Sequence, residues 1–208
     1  MNEAQLKTID SYNLTAEQFA ESVGKIENYN YTYDFLIDRL HAGDKIADLA
    51  SGPGQISRYI KDRKNVSVTC VDLSEKMLLI AEKNIPDGTF WKRSIIDFQD
   101  DHKYDAVIIG FGLPYINEKQ AALCLENAAD LIKNGKYLYI SFMQGSSERF
   151  EKTSFGGTND FYIHYHDKAR IKELLLEYKL CVIREFELEY IETDGSITTD
   201  IILIAWKK

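Results

Sequence analysis

The sequence predicts a doubly wound α/β fold, a mostly parallel seven-stranded sheet with helices on both faces and an antiparallel strand at the C-terminus. Three observations carry that expectation. Short apolar runs alternate with helical patterns from Ile46 to Met143, the order that gives parallel strands joined by right-handed crossovers. The first run ends in Gly52-Pro53-Gly54 and opens directly into a helical pattern with Ile56, Tyr59 and Ile60 on one face. Near the end, the runs Val182 to Ile191 and Ile197 to Trp206 are joined by Thr193-Asp194-Gly195-Ser196. Asp-Gly between two such runs is the strongest short-range hairpin signal, so the last strand runs against its predecessor.

The elements follow in order. Thr15 is placed to cap a helix carrying Phe19, Val23 and Ile26, and a tyrosine-rich joint at Asn28-Tyr29-Asn30-Tyr31 leads to a second helix with Tyr33, Leu36, Ile37 and Leu40 on one face. These two helices precede the alternation and form an N-terminal helical cap, residues 1–43, whose Tyr12, Phe19, Tyr29 and Tyr33 supply aromatic surface. The first strand is Ile46 to Ala50; the second, with Val66, Val68, Cys70 and Val71, ends in Asp72. Ser74 caps a helix bearing Met77, Ile80 and Ala81, which Pro86-Asp87-Gly88 closes. The third strand, Thr89 to Arg93, leads to Ser94-Ile95-Ile96-Asp97. The fourth, Tyr104 to Ile109, is almost continuously apolar, as a strand covered on both faces should be, and runs into Gly110-Phe111-Gly112-Leu113-Pro114-Tyr115. Asn117 caps a helix with Ala121, Leu125, Ala128 and Ile132, Gly135 is placed to end it, and the fifth strand spans Lys136 to Met143. Asp167 caps a last helix with Ile171, Leu174, Leu175 and Tyr178.

Composition narrows the function. At 208 residues the chain is expected to be a single domain, 1–208, and its 45% hydrophobic and 28% charged content is ordinary for a globular protein. A formal net charge of -8 argues against a nucleic-acid partner, whose phosphates are met by clustered Lys and Arg, and favours a small-molecule ligand. Cys70, Cys124 and Cys181 are isolated in apolar runs and read as core thiols. The N-terminus has no basic region followed by an apolar core, and no run reaches the roughly 18 apolar residues of a membrane span. A cytoplasmic protein without a membrane partner is expected. No metal site is expected either, since His164 and His166 have no carboxylate or thiol at ligand spacing.

The residues at the strand ends point to a nucleotide-like ligand. Gly52 and Gly54 open the backbone to conformations closed to other residues, and the following helix start offers unpaired N–H groups. Asp72 lies 20 residues past Gly52 at the tip of the second strand, the spacing of a carboxylate that accepts from ribose hydroxyls. Asp48 is expected to brace the glycine loop by accepting backbone N–H groups. Ligands of such sheets bind at the C-terminal strand ends, which gathers Ala50 to Gly54, Asp72, Asp97, Gly110 to Tyr115 and the segment after Met143 around one pocket. Residues 144–166 read as a long irregular insertion covering the substrate side, with Phe150, Phe155, Phe161, Tyr162 and Tyr165 and a hinge at Gly156-Gly157. Tyr115 faces it, and His164 or Tyr162 is placed to act as a general base or simply to pack.

Taken together, Asp48-Leu49-Ala50-Ser51-Gly52-Pro53-Gly54, Asp72, Ile96-Asp97 and the terminal hairpin resemble the class I S-adenosylmethionine-dependent methyltransferases, of small-molecule type, over nearly the whole chain from Tyr12. Tyr12-Asn13 with Ala16 and Phe19 is similar to the lead-in that covers the cofactor in many members. The resemblance implies a Rossmann-like sheet whose reversed last strand tucks between the fifth and sixth, and S-adenosylmethionine as cofactor. The implied cofactor-binding residues are Asp48, Ala50, Ser51, Gly52, Asp72, Leu73, Met77, Ile96, Asp97 and Phe111, with Leu73 and Met77 walling the adenine and Phe111 under the sulfonium. Tyr12, Phe19, Tyr115, Tyr162 and His164 are the substrate-side candidates. Two positions depart from the family pattern: Ala50 stands at the first glycine, and Lys179-Leu180 replaces a Gly-Phe pair. Gly112-Leu113-Pro114-Tyr115 keeps only one proline of the motif found in enzymes that methylate nucleic-acid bases. The expected activity is methyl transfer to oxygen or nitrogen of a small molecule. A non-catalytic S-adenosylmethionine-binding protein and an NAD-dependent oxidoreductase are the alternatives, the latter disfavoured because Ser57 occupies the third glycine position of a dinucleotide fingerprint.

Overall fold

The sheet is built outward from β1 (Lys45–Leu49), which pairs in parallel with β2 (Ser67–Asp72) on one side and β4 (Tyr104–Gly110) on the other. The computed structural model describes residues 2–152, 156–157, 159–191 and 197–208. Beyond β2 lies β3 (Thr89–Lys92), and beyond β4 lies β5 (Ile132–Met143), both parallel. The chain order therefore reverses between β1 and β4, and the crevice outside their C-terminal ends is where α/β sheets take ligands. Two long strands, β8 (Leu180–Ile191) and β9 (Ile197–Lys207), complete the sheet in the order β3-β2-β1-β4-β5-β9-β8. As expected, β9 is inserted between β5 and β8 and runs antiparallel to both. The turn expected at 193–196 lies outside the described residues.

Alternation along the strands divides the interior into two cores. Val107 and Ile109 of β4, with Leu203 and Ala205 of β9, face α6 (Glu118–Leu131) and α7 (Lys168–Glu177). Ala106, Ile108, Ile202 and Ile204 face the other layer, α3 (Asn30–Ile37), α4 (Gln55–Lys61) and α5 (Glu75–Asn84). β4 is thus buried on both sides, which is why it reads as continuous apolar sequence. The N-caps foreseen at Ser74, Asn117 and Asp167 each accept a hydrogen bond from the first turn of their helix, and Asn117 forms a full capping box with Gln120. No helix among the described residues is long and apolar enough to cross a membrane.

Four expectations are corrected. A helix unseen in the sequence, α1 (Glu3–Leu14), precedes α2 (Ala16–Val23), because its buried side chains are Gln5, Thr8 and Ser11 and leave no apolar stripe. Thr15 gives α2 no side-chain cap; its hydroxyl donates to the Ser11 carbonyl instead. Gly135 does not end α6, which passes straight into β5 at Ile132; it takes φ 78 inside the strand, where the register with β4 shifts. Within 144–166 the described residues are not all irregular, since they include the antiparallel pair β6 (Glu148–Lys152) and β7 (Asp160–His164). Phe155 lies outside the described residues.

Candidate active site

A cavity of about 1400 Å³ opens at the C-terminal ends of the strands, bounded by the turn after β1, Asp72, the segment after β4 and the N-terminal helices. It exceeds the roughly 300–1,000 Å³ of a one-ligand pocket, so two small molecules fit side by side.

Its floor is the β1–α4 turn. Gly52 and Gly54 take φ 53 and φ 78, left-handed values that glycine adopts freely, and Gly54 forms the N-cap of α4. Ala50 takes φ 59, so the position given to glycine in the family keeps glycine's conformation with an alanine in it. The added methyl is accommodated opposite Gly112, where a Cβ would come within 2.8 Å of it. The Gly52 N–H donates to Asp72 Oδ2 at 2.8 Å and the Ser74 N–H donates to Oδ1 at 2.8 Å, fixing the carboxylate at the cavity wall. Burial raises the Asp72 pKa, against the lowering effect of these backbone donors. Asp48, only 1% exposed, lies beneath the wall and accepts from the Ser57 hydroxyl at 2.7 Å. It braces the first turn of α4 rather than the glycine loop, and burial pushes its carboxyl up to about 7.

Leu73, Met77 and Ile96 line the next stretch of wall, and Phe111, held at φ 53 with its N–H on Ser141 Oγ, lies beyond. Asp97 is exposed and off the wall. Two atoms on the floor invite a ligand: Ser51 Oγ and Gln55 Oε1 are buried and have no hydrogen-bond partner among the described residues. Sequence reasoning passed over Gln55, although it is the first residue of the helix that follows the glycine turn.

The roof is made by α1, α2 and the β6–β7 pair acting together. Phe19 of α2 lies 3.5 Å from where a Cβ of Gly52 would stand. Asn13 Oδ1 accepts from the Ser74 hydroxyl at 2.8 Å, and Gln5 Nε2 donates to the Tyr115 carbonyl at 3.1 Å. On the other side Thr8 Oγ1 accepts the Tyr162 N–H at 2.9 Å, and Ser11 Oγ donates to the Asp160 carbonyl at 3.0 Å. The Tyr12 ring packs edge-on against Phe19, Tyr115 and Phe161, and its hydroxyl hydrogen-bonds that of Tyr115. Burial raises both phenols, Tyr115 to about 12, so both stay protonated at neutral pH.

Strand parity decides the remaining candidates. Phe161, Ile163 and Tyr165 cluster beneath the roof with Tyr12, Tyr115 and Met143, and Ile163 lines the cavity. Tyr162 and His164, one residue out of phase, do not line it; the Tyr162 hydroxyl and His164 Nδ1 both meet the Glu148 carboxylate, the latter at 3.1 Å. At the far end the wall carries Tyr29 and Asp200, with the Tyr29 hydroxyl donating to Asp200 Oδ2 at 2.5 Å. Asp200 went unnoticed in the sequence, yet an acid just before Ile201-Ile202-Leu203-Ile204 in a central strand was its signal.

A family profile described as a methyltransferase domain matches residues 46–135. Among curated relatives, demethylmenaquinone methyltransferase of Thermotoga maritima is 29% identical over 109 residues, covering 51% of this chain and 47% of that protein. Its counterpart in Chlamydia pneumoniae is 33% identical over 105 residues, covering 49% and 45%. The chain spans about half the length of the curated relatives it matches. Over the whole chain the fold is similar to magnesium protoporphyrin IX methyltransferase of Synechocystis PCC 6803 with bound SAM, with TM-score 0.74, 19% identity and coverage of 100% and 99%. It is also similar to geranyl diphosphate C-methyltransferase of Streptomyces coelicolor A3(2), with TM-score 0.65, 14% identity and coverage of 86% and 79%. The profile match takes in the glycine turn and Asp72, so residues 46–135 match a methyltransferase domain, and over its whole length the chain has the fold of these S-adenosylmethionine-dependent methyltransferase structures.

Proposed function

We propose that this chain is an enzyme that transfers a methyl group from S-adenosylmethionine to oxygen or nitrogen of a small-molecule acceptor. The observation that carries the reading is one covered cavity that runs from the Gly52–Asp72 hydrogen bond to the Tyr29–Asp200 pair and has room for two small ligands. S-adenosylmethionine, when bound, supplies a methyl group already activated on a sulfonium.

The chain's residues bind, orient and exclude water. Asp72 has lone pairs left after accepting from Gly52 and Ser74, and these take ribose hydroxyls. Gln55 Oε1 and Ser51 Oγ, buried at the glycine turn, receive the amino-acid end of the cofactor, an ammonium satisfying Gln55. Leu73, Met77 and Ile96 cover the adenine, and Phe111 and Phe19 flank the reacting end. The roof keeps water from the transfer path, and Tyr12 and Tyr115, as neutral phenols, orient the acceptor by hydrogen bonding. Ser57 supports this reading over a dinucleotide one, because its buried hydroxyl is used to hold Asp48.

Several curated relatives bear the name demethylmenaquinone methyltransferase, but the profile match stops at residue 135, before β6, β7 and Asp200. The acceptor end is therefore read from this chain's own residues. Incubation with methyl-labelled S-adenosylmethionine and a panel of phenols, amines and quinols tests the proposal. Label is expected in an oxygen- or nitrogen-bearing member; cofactor binding with no label transferred would favour a non-catalytic binding protein, and label on a quinol carbon would correct the acceptor atom.

A further inference from the structure

The acceptor end of the cavity carries a buried carboxylate among aromatic rings. Asp200 is 7% exposed, lines the wall, and stands opposite Met143 at the C-terminal end of β5. Tyr29 links it to the reacting end, donating its hydroxyl to Oδ2 at 2.5 Å while its ring meets Phe111 edge-on with centroids 5.4 Å apart. Glu151 also lines the cavity, although Arg149 already holds it at 2.8 Å. The basic groups on the lining are engaged or exposed. Arg63 lies over the Tyr59 ring at 3.5 Å, Arg58 is bonded to Asp62 at 2.7 Å, and Lys152 and Arg93 are exposed. A buried carboxylate hydrogen-bonded by a phenol attracts a cation and rejects an anion.

Resting on the methyltransferase reading, we infer that the acceptor is a primary or secondary amine whose nitrogen is held at Asp200 and Tyr29. The amine, drawn in as a cation, first gives one proton to water; its freed nitrogen lone pair forms the new bond to the methyl carbon as the S–C bond breaks, the electron pair of that bond stays on sulfur as a thioether, and a proton of the resulting alkylammonium is released to water. Positive charge grows on nitrogen along this path, so a carboxylate aimed at it stabilises the transition state more than the neutral reactant. Asp200 is thereby the residue that selects an amine over an alcohol or acid of the same shape.

The test is ligand-observed NMR with phenethylamine, 2-phenylethanol and 3-phenylpropionate, and with the matching butyl series, in the presence of S-adenosylhomocysteine. The amines are expected to bind at least tenfold more tightly than the alcohols and acids, and Asp200→Asn is expected to remove that preference while retaining S-adenosylhomocysteine affinity. Equal or better binding of an alcohol or acid, no binding of any amine, or an unchanged preference in a folded Asp200→Asn variant would overturn the inference. The preference is measured on the wild-type protein, so it is decided even if the variant does not fold. Calorimetry with S-adenosylhomocysteine on the same samples separates the two claims: binding without amine preference removes only this inference, and no binding removes the methyltransferase reading with it.

Discussion

The Asp72 carboxylate accepts the Gly52 N–H at 2.8 Å across 20 residues of sequence, joining the tip of β2 to the glycine turn after β1. The two features that suggest a nucleotide ligand are therefore one structural unit, in which the turn orients the carboxylate. Gly52 needs its φ of 53 to make that bond, and a Cβ there would stand 3.5 Å from Phe19 Cε1. Gly52→Ala is expected to lower stability by about 1–2 kcal/mol through left-handed strain and to weaken S-adenosylhomocysteine binding more than tenfold. Denaturant unfolding and calorimetry on the same variant measure both.

Lys179 offers the converse case. It takes φ 62 just after Tyr178, the C-cap of α7, the place where helices favour glycine. Relief of left-handed strain outweighs the added chain entropy of a glycine, so Lys179→Gly is expected to raise stability by up to about 1 kcal/mol and leave ligand affinity unchanged. An unfolding midpoint below wild type would contradict this.

Asp48 makes stability depend on pH with a definite sign. Its carboxyl titrates near 7 when folded, chiefly through burial, against roughly 3.9 for an unperturbed Asp. Between those values the folded chain keeps a proton that the unfolded chain has lost, so this group's contribution falls as pH rises from about 4 to about 7 and is flat above. Asp48→Asn removes the titration. Unfolding midpoints at about pH 5 and pH 8 should show the variant gaining on wild type at the higher pH; parallel profiles would count against the assignment.

How far the sequence was legible depended on what each element buries. β4, buried on both faces, and the reversed β9 were readable because their apolar runs and the Asp-Gly signal are local. α1 was not, because Gln5, Thr8 and Ser11 dock against backbone and polar groups of the roof and carry no hydrophobic period; its Asn2–Gln5 capping box was the available clue. The aromatic content of 144–166 singles that stretch out, but strand parity is not legible there, and Phe161 and Ile163 join the cluster with Tyr12 and Tyr115 while Tyr162 and His164 meet Glu148. Asp200 was hidden for another reason, since its partner Tyr29 is 171 residues away.

The roof behaves as one unit if Tyr12 is its keystone. Tyr12→Ala removes ring contacts to Phe19, Tyr115 and Phe161 at once, with an expected loss of ~2 kcal/mol and faster amide exchange in both α1 and β7. Exchange that rises in α1 alone would mean that the helix and the strand pair move independently.

The most direct test of the central claim is calorimetric binding of S-adenosylmethionine and S-adenosylhomocysteine to wild type and Asp72→Ala, with NAD as the control. Both ligands are expected to bind wild type and NAD is not, and binding should weaken by roughly 10- to 100-fold in Asp72→Ala, as for loss of hydrogen bonds to a charged group. A folded wild-type protein that binds neither ligand, or binds NAD in their place, would contradict the account.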